Sequence, residues 1–312
     1  MKKHIEARKY IITAALLLLT STWLFATDGP DIEKRKTYSK SYNIGSNDKI
    51  SISNQFGQVR INTWGKSEVK VDVTIIVTGS NEEKLQAIID DITIEDNKGS
   101  DGVSFKTNFN NRESKENKKH GDGNKSMEIN YEVNMPASNP FVLNNQFGKS
   151  FVPDMSGPVE LTQKFGDLVA GNLTNAKELH VEFGSVVAES VNNCKIVVKF
   201  SKAEIKKLSG AIKASFEYCD KVKLALTNNT SDFNVNNQFS TIEVAVSDGF
   251  SGDFDIHTNF GEFHNSTPIV IKEAKEDDDE HGPKFDKDYS GKSGSGACKV
   301  KIKSSFGKVR FI

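Results

Sequence analysis

Asp253, Asp255 and His257 alternate along one short stretch, with Phe254 and Ile256 between them. In a strand that spacing puts two carboxylates and an imidazole on one face. Such a row could hold a divalent cation or move protons. An ordinary solvated strand face has the same composition, so these three are only the weak metal candidates of the chain. Glu262 and His264 follow one corner later and could extend the surface. Asp277, Asp278, Asp279 and Glu280 form a second acidic group. A calcium loop needs carboxylates spaced round a turn, whereas a contiguous run stays solvated. Lys199, Lys202, Lys206 and Lys207 lie close to Glu182, Glu189 and Glu204. A polysaccharide lyase of β-helix type needs such a mixture on adjacent coils, and any exposed β face also carries it. Trp64, Phe263, Tyr131 and Tyr218 could stack on sugars if exposed; burial at coil ends is the alternative.

The sequence contains no Ser/His/Asp elbow, no phosphate-binding Gly loop leading into a helix, and no His-x-x-x-His pair. No catalytic residue, cofactor or metal is therefore assigned, and the chain is expected not to be an enzyme. Cys194, Cys219 and Cys298 are an odd number. They read as small buried hydrophobes, with a Cys194–Cys219 bridge as the alternative.

The elements that would carry these groups are set by a repeat. Phe56, Phe147, Phe165, Phe183, Phe200, Phe216, Phe239, Phe260 and Phe306 each follow an aliphatic residue by four positions. Gly57, Gly148, Gly166, Gly184, Gly261 and Gly307 come directly after six of them. A fixed short period is the signature of a solenoid, in which each coil buries its apolar face against its neighbours. The phase of the inward residues slips by one after each Phe, as at a bulge or corner. The glycines are expected to permit that corner, and the Phe side chains to stack as an internal column. Two positions before the Phe stand Asn54, Asn145, Gln163, Asn237, Thr258 and Ser304, and in the middle Val181, Val198 and Ala214. This predicts an amide ladder that turns apolar in the middle.

The expected fold is mainly β: a single-stranded β-solenoid or β-helix-like array with an N-terminal strand-and-one-helix region. Residues 1–26 read as a signal peptide, with a basic start, an apolar core and cleavage after Ala26. Residues 27–47 are an irregular lead-in. Residues 48–139 form the N-terminal β region, with one helix over 81–92 and a charged loop insert over 108–126. The solenoid repeats occupy 140–272, an acidic then Gly/Ser-rich loop 273–296, and the closing strands 297–312. The net charge is −1, and removing the leader takes away four Lys/Arg and one Glu. A near-neutral chain gives no electrostatic case for nucleic acid. No second apolar stretch reaches the roughly 20 residues of a membrane span. Without a Cys near the cleavage site, the chain is expected not to be a lipoprotein.

The first unit, Asn54-Gln-Phe-Gly-Gln-Val-Arg-Ile-Asn-Thr-Trp64, and the tail, Ser304-Ser-Phe-Gly-Lys-Val-Arg-Phe311, resemble the entry and closing strands of an exported family of β-solenoid proteins called "putative adhesin". The resemblance covers about residues 48–312. It implies repeated Phe-Gly-x-Val coils and a place in the periplasm, at the outer-membrane surface or outside the cell. It brings no functional residue with it. The expected function is a non-enzymatic envelope or surface protein whose solenoid side walls bind a macromolecule, glycan or protein, as an adhesin would. A polysaccharide-binding or lyase-like β-helix protein and a purely structural envelope component are the alternatives.

Overall fold

The computed structural model describes residues 32–110, 126–274 and 285–312. The signal peptide, most of the charged insert and the acidic run lie outside the described residues. The chain is mainly β, as its composition predicts, with 70% of the described residues in strands and 4% in helix. All the described strands join one sheet, which folds back into a nearly closed, barrel-like form.

The N-terminal region holds β1 (Ile32–Asn43), β2 (Lys49–Gln55), β3 (Val59–Thr63), β4 (Glu68–Gly79), α1 (Glu82–Asp91), β5 (Ile92–Gly99), β6 (Gly102–Phe109) and β7 (Ser126–Met135). Strict alternation buries Val69, Val71, Val73, Ile75 and Val77 on one face of β4. The Asn81 side chain caps α1 by accepting from the Lys84 N–H at 2.9 Å. Leu85 and Ile89 are the helix residues that enter the core. From Ile32 onward the expected irregular lead-in is strand β1, paired antiparallel with β4 along its whole length. Its Lys34, Arg35, Lys36 and Lys40 place charge on a sheet edge, which discourages pairing with other chains.

The regular region runs through β8 (Phe141–Gln146), β9 (Ser150–Val152), β10 (Val159–Lys164), β11 (Asp167–Leu173), β12 (Ala176–Glu182), β13 (Ser185–Asn192), β14 (Lys195–Lys199), β15 (Lys202–Glu217), β16 (Lys221–Gln238) and β17 (Thr241–Val246). The C-terminal part adds β18 (Gly252–Asn259), β19 (Glu262–Asn265), β20 (Ile271–Glu273), β21 (Asp286–Ser293), β22 (Cys298–Ser305) and β23 (Lys308–Phe311). The Gly/Ser-rich stretch expected as a loop is β21 up to Ser293. It is held antiparallel on β18, and only then does a turn follow at Gly294 and Gly296.

These strands form two parallel ladders. One wall runs β6, β2, β8, β10, β12, β14, the second half of β15, the second half of β16, β22, β18. The other runs β7, β3, β9, β11, β13, the first half of β15, the first half of β16, β17, β23, β19. Inward residues meet like for like along each wall, as Leu143, Leu161, Leu179 and Ile196 do. The order in space departs from chain order at both ends. The β22–β23 pair lodges between β16–β17 and β18–β19, and β2–β3 lodges between β6–β7 and β8–β9. Antiparallel strands then cover three of the four wall ends: β5 on β6, β4 on β7, and β21 on β18.

Candidate binding surface

The repeated aromatic residues stand at the bend between the two walls, and they point outward. Phe56, Phe147, Phe165, Phe183, Phe200, Tyr218, Phe239, Phe260 and Phe306 all have φ between 48 and 64°. In that left-handed conformation the side chain leaves the period-2 alternation, so the ring that should have entered the core projects to solvent. Except for Phe56, these residues are 45–52% exposed. The expected internal column is thus an external ridge.

Two details of the repeat change with it. Phe216 is fully buried and Tyr218 takes the ridge position of that coil. The step from Tyr218 to Val222 is one residue longer than the matching step from Phe200 to Ala203, and Asp220 is the addition. The glycines, for their part, are not at positive φ; the left-handed residue is the aromatic one before each. Glycine is needed there for closeness. A Cβ on Gly166 would lie 1.7 Å from the Gly148 carbonyl oxygen, and one on Gly148 1.9 Å from that of Gly57.

The rings form one stack in the order Phe56, Phe147, Phe165, Phe183, Phe200, Tyr218, Phe239, Phe306, Phe260, Phe285. Centroids are 4.7–5.1 Å apart as far as Phe260, which is the spacing of the strands beneath. From Phe147 to Phe306 successive rings are tilted by no more than 4°. The ridge is therefore straight and roughly 40 Å long from Phe56 to Phe260, eight strand spacings of about 4.8 Å. Phe109 closes its first end edge-on to Phe56 at 5.9 Å. Each bend is fixed by a hydrogen bond: Phe147 N–H donates to the Lys164 carbonyl, Phe165 to Glu182, and Phe200 to Glu217, at 2.9–3.0 Å.

Beneath the ridge lies the expected polar ladder. Asn54 Nδ2 donates to Asn145 Oδ1 at 3.2 Å, and Asn145 Nδ2 donates to Gln163 Oε1 at 3.4 Å and Ser150 Oγ at 3.1 Å. The same amides reach the bends, with Gln163 Nε2 donating to the Gly148 carbonyl at 2.9 Å. The ladder turns apolar at Val181, Val198 and Phe216; the last replaces the expected Ala214 because of the shifted register. It resumes at Asn237, whose Nδ2 donates to Ser304 Oγ at 2.9 Å. Asn237 Oδ1 lacks a partner among the described residues, since the adjacent rung is Phe216.

Charge columns flank the ridge. On one side Lys164, Glu182, Lys199 and Glu217 occupy consecutive rungs, with Lys164–Glu182 at 3.0 Å and Lys199–Glu217 at 2.9 Å. Burial pushes the Glu182 carboxyl upward, but Lys164 and His180 outweigh it and hold the group below the ordinary carboxylate range. On the other side stand Lys149, Asp167, Ser185, Lys202 and Lys221. The Ser185 hydroxyl donates to Asp167 at 2.7 Å and, with Lys149 at 3.3 Å, lowers its pKa.

The structure does not bring the other predicted groups together. Asp253, Asp255 and His257 share one face of β18, but Asp255 pairs with Lys301 at 3.4 Å and His257 with Asp288 at 2.8 Å. Glu262 and His264 lie on β19, in the other wall, where Lys308 approaches Glu262 at 2.6 Å. Among the described residues no three His, Cys, Asp or Glu side chains gather to hold a metal. The three cysteines are free and buried, and burial pushes Cys194 up to about 12 and Cys298 to about 11. Tyr131 is buried against Thr107, Phe263 packs on Tyr289 and Phe311, and the Trp64 indole Nε1–H donates to the Glu68 carbonyl. Of the four sugar-stacking candidates, Tyr218 alone stands on the open ridge.

No family profile matches the chain, and no curated protein matches its sequence. Among solved structures, one described as a putative adhesin from Bacteroides fragilis is 11% identical; the match covers 89% of this chain and 97% of that one, with a TM-score of 0.36. A putative cell adhesion protein from Clostridium sporogenes is 11% identical over 89% and 99% of the two chains, at a TM-score of 0.25. A structure described as a putative lipid binding protein from Parabacteroides distasonis is 8% identical over 89% and 97%, at 0.24. Likenesses of this size say nothing of what the chain binds. Among the described residues no helix is long and apolar enough to cross a membrane.

Proposed function

We propose that this chain is a non-enzymatic, exported envelope or surface protein, adhesin-like in action, and that the aromatic ridge is its contact surface. The two parallel ladders are the walls of a β-solenoid, a reading supported by register steps of 17–18 residues between like positions from Leu143 to Ala214. The observation that carries the function is the ridge itself. Nine residues hold a strained backbone, at about 1 kcal/mol or more each, in order to place aromatic rings in solvent. Stacking returns part of that cost, about 0.5–1.5 kcal/mol per pair. A buried column would return more. Contiguous exposed apolar surface of this extent marks an interaction site.

The rings cover one another's faces, so the partner meets a strip of ring edges. That geometry disfavours sugar stacking, which uses the face, and suits a protein or other apolar surface. Binding by the ridge is tested with the triple variant Phe165→Asn, Phe183→Asn, Phe200→Asn. Asn tolerates the left-handed backbone, so the bends survive while the strip is broken. Arrays of cell-surface proteins and polysaccharides are probed with both full chains. Loss of binding in the variant is expected, and equal binding overturns the ridge. Protease shaving of intact cells tests location; a chain protected alongside periplasmic markers overturns the surface placement.

A further inference from the structure

The flanking charges choose among partners for the ridge. We infer that its partner is a second copy of this chain, docked ridge to ridge and antiparallel, with the twofold axis between the Phe183 and Phe200 rungs. This rests on the ridge being a contact surface.

In that arrangement each flanking column meets itself in reverse order, as an isologous interface requires. Lys164 meets Glu217 of the second copy, and Glu182 meets Lys199. One rung further out, Gln146 meets Gln238. On the opposite flank Asp167 meets Lys221 and Ser185 meets Lys202. No two like charges oppose one another across these rungs. The neighbouring arrangements fail. A shift of one rung sets Glu182 against Glu217, or Lys164 against Lys199. A parallel docking sets Lys199 against Lys202. Charge pattern thus specifies both direction and register.

The shape agrees with the charges. Tilts of no more than 4° from Phe147 to Phe306 keep the ridge straight over the rungs that would meet, so two copies stay in register along them. In this register each ring rim meets the rim of the ring opposite, so the two ridges touch by van der Waals contact and no stacked pair is displaced.

Sedimentation velocity on the full chain over a micromolar to millimolar series tests this. The wild type is expected to dimerise. Glu182→Lys puts Lys against Lys twice per dimer and should weaken association about tenfold or more. The decisive variant inverts the column: Lys164→Glu, Glu182→Lys, Lys199→Glu, Glu217→Lys. It retains both lysine–glutamate pairs of the column within the chain and gives up only the His180 contact with Glu182, so its denaturant midpoint is measured alongside to show that it folds. It should dimerise with itself and fail to form mixed dimers with labelled wild type. A wild type that stays monomeric throughout, or an inverted column that mixes freely with wild type, overturns the proposal. If the chain is monomeric but the Asn triple variant still loses binding on the arrays, the second copy is wrong and the ridge as contact surface stands. If the triple variant changes neither, both are wrong.

Discussion

The bend beneath the ridge is built in two ways. In the coils of Phe147 and Phe165, the inner position two residues before the ring is an amide, Asn145 or Gln163, and the residue after the ring is glycine. The amide satisfies the bend carbonyls from inside, and glycine lets adjacent bends close to contact. In the coils of Phe200 and Tyr218 the inner position is Val198 or Phe216, and Ser201 or Cys219 follows the ring. There the small polar side chain does the amide's work. Ser201 Oγ accepts from the Gly184 N–H at 3.0 Å and donates to the Lys199 carbonyl at 2.6 Å. Cys219 Sγ donates to the Val198 carbonyl at 3.3 Å. The shared requirement is that buried backbone groups be paired; which side chain meets it is free. Composition at one position is thus legible only together with its partner position three residues away.

The largest effect that would test this contrast is steric. Gly166→Ala must push its Cβ away from the Gly148 carbonyl, 1.7 Å off, and should cost about 3 kcal/mol or more. At the equivalent position in the middle, a Cβ is already present, and Ser201→Ala should cost less, about 2 kcal/mol for two lost hydrogen bonds. Denaturant midpoints of the two variants measure the difference, and equal losses would mean that the two kinds of bend are spaced alike. Next in size is the exchange of inner residues. Asn145→Val removes the donor to the Gly57 carbonyl at 3.3 Å and to Ser150 Oγ at 3.1 Å, and should cost about 2 kcal/mol. Val198→Asn should cost a similar amount, about 2 kcal/mol, because its neighbours Val181 and Phe216 offer no partner. Two opposite substitutions that both destabilise would show that each region is committed to its own solution.

Much of this was readable in the chain. The period, the inward aliphatic positions and the amide ladder follow from residue spacing, and so does the one-residue slip of phase at each Phe. What spacing does not reveal is that the slip happens at the Phe itself. Continuing period-2 alternation from Leu161 through Gln163 puts Phe165 inside; a single left-handed residue puts it outside. Phe is a poor left-handed former, so local preference argues against what the stacked array enforces. Tyr218 was hidden because Ile212 and Phe216 mimic the repeat two residues ahead of the true positions Ala214 and Tyr218, and only pairing across coils exposes the additional Asp220. Strands β1 and β21 carry little apolar signal, since their positions come from antiparallel pairing: β1 is an edge strand on β4, and β21 lies between β18 and the short β20. The lodging of the C-terminal coil inside the array has no local trace at all. The exposed candidates Asp255 and His257 looked like a ligand row because alternation is visible in sequence, whereas the Lys301 and Asp288 that occupy them come from distant strands.

The aromatic stack sharpens the comparison at smaller scale, because it runs unbroken over both kinds of bend. Phe165→Ala loses two ring contacts, with Phe147 at 4.7 Å and Phe183 at 4.9 Å, and should cost about 2 kcal/mol. Phe165→Gly loses the same contacts but releases left-handed strain of about 1 kcal/mol, so it should be the milder variant. The same pair of substitutions at Phe200 should behave alike, since the stack does not depend on the rung below. A glycine variant no better than alanine at either site would mean that the bend is not strained.

The smallest effect separates charged rungs from neutral ones. Burial raises the pKa of Glu182, but the Lys164 and His180 hydrogen bonds lower it further, and the net shift is downward. A lowered folded-state pKa stabilises above the ordinary glutamate value of about 4.3, and that stability is lost as the pH falls through the lower folded value. The pair is partly exposed, 33% at Lys164 and 20% at Glu182, so its worth is about 1 kcal/mol or less. Wild type minus Glu182→Gln should therefore be a small positive difference that is constant at neutral pH and disappears in acid. Wild type minus Asn145→Val should be larger and flat across the same range, because amides do not titrate. Unfolding midpoints of the three chains over a pH series separate the two. A Glu182 difference that persists once the carboxylate is protonated would assign its role to packing beside the ridge and remove the electrostatic distinction between its outer and inner columns.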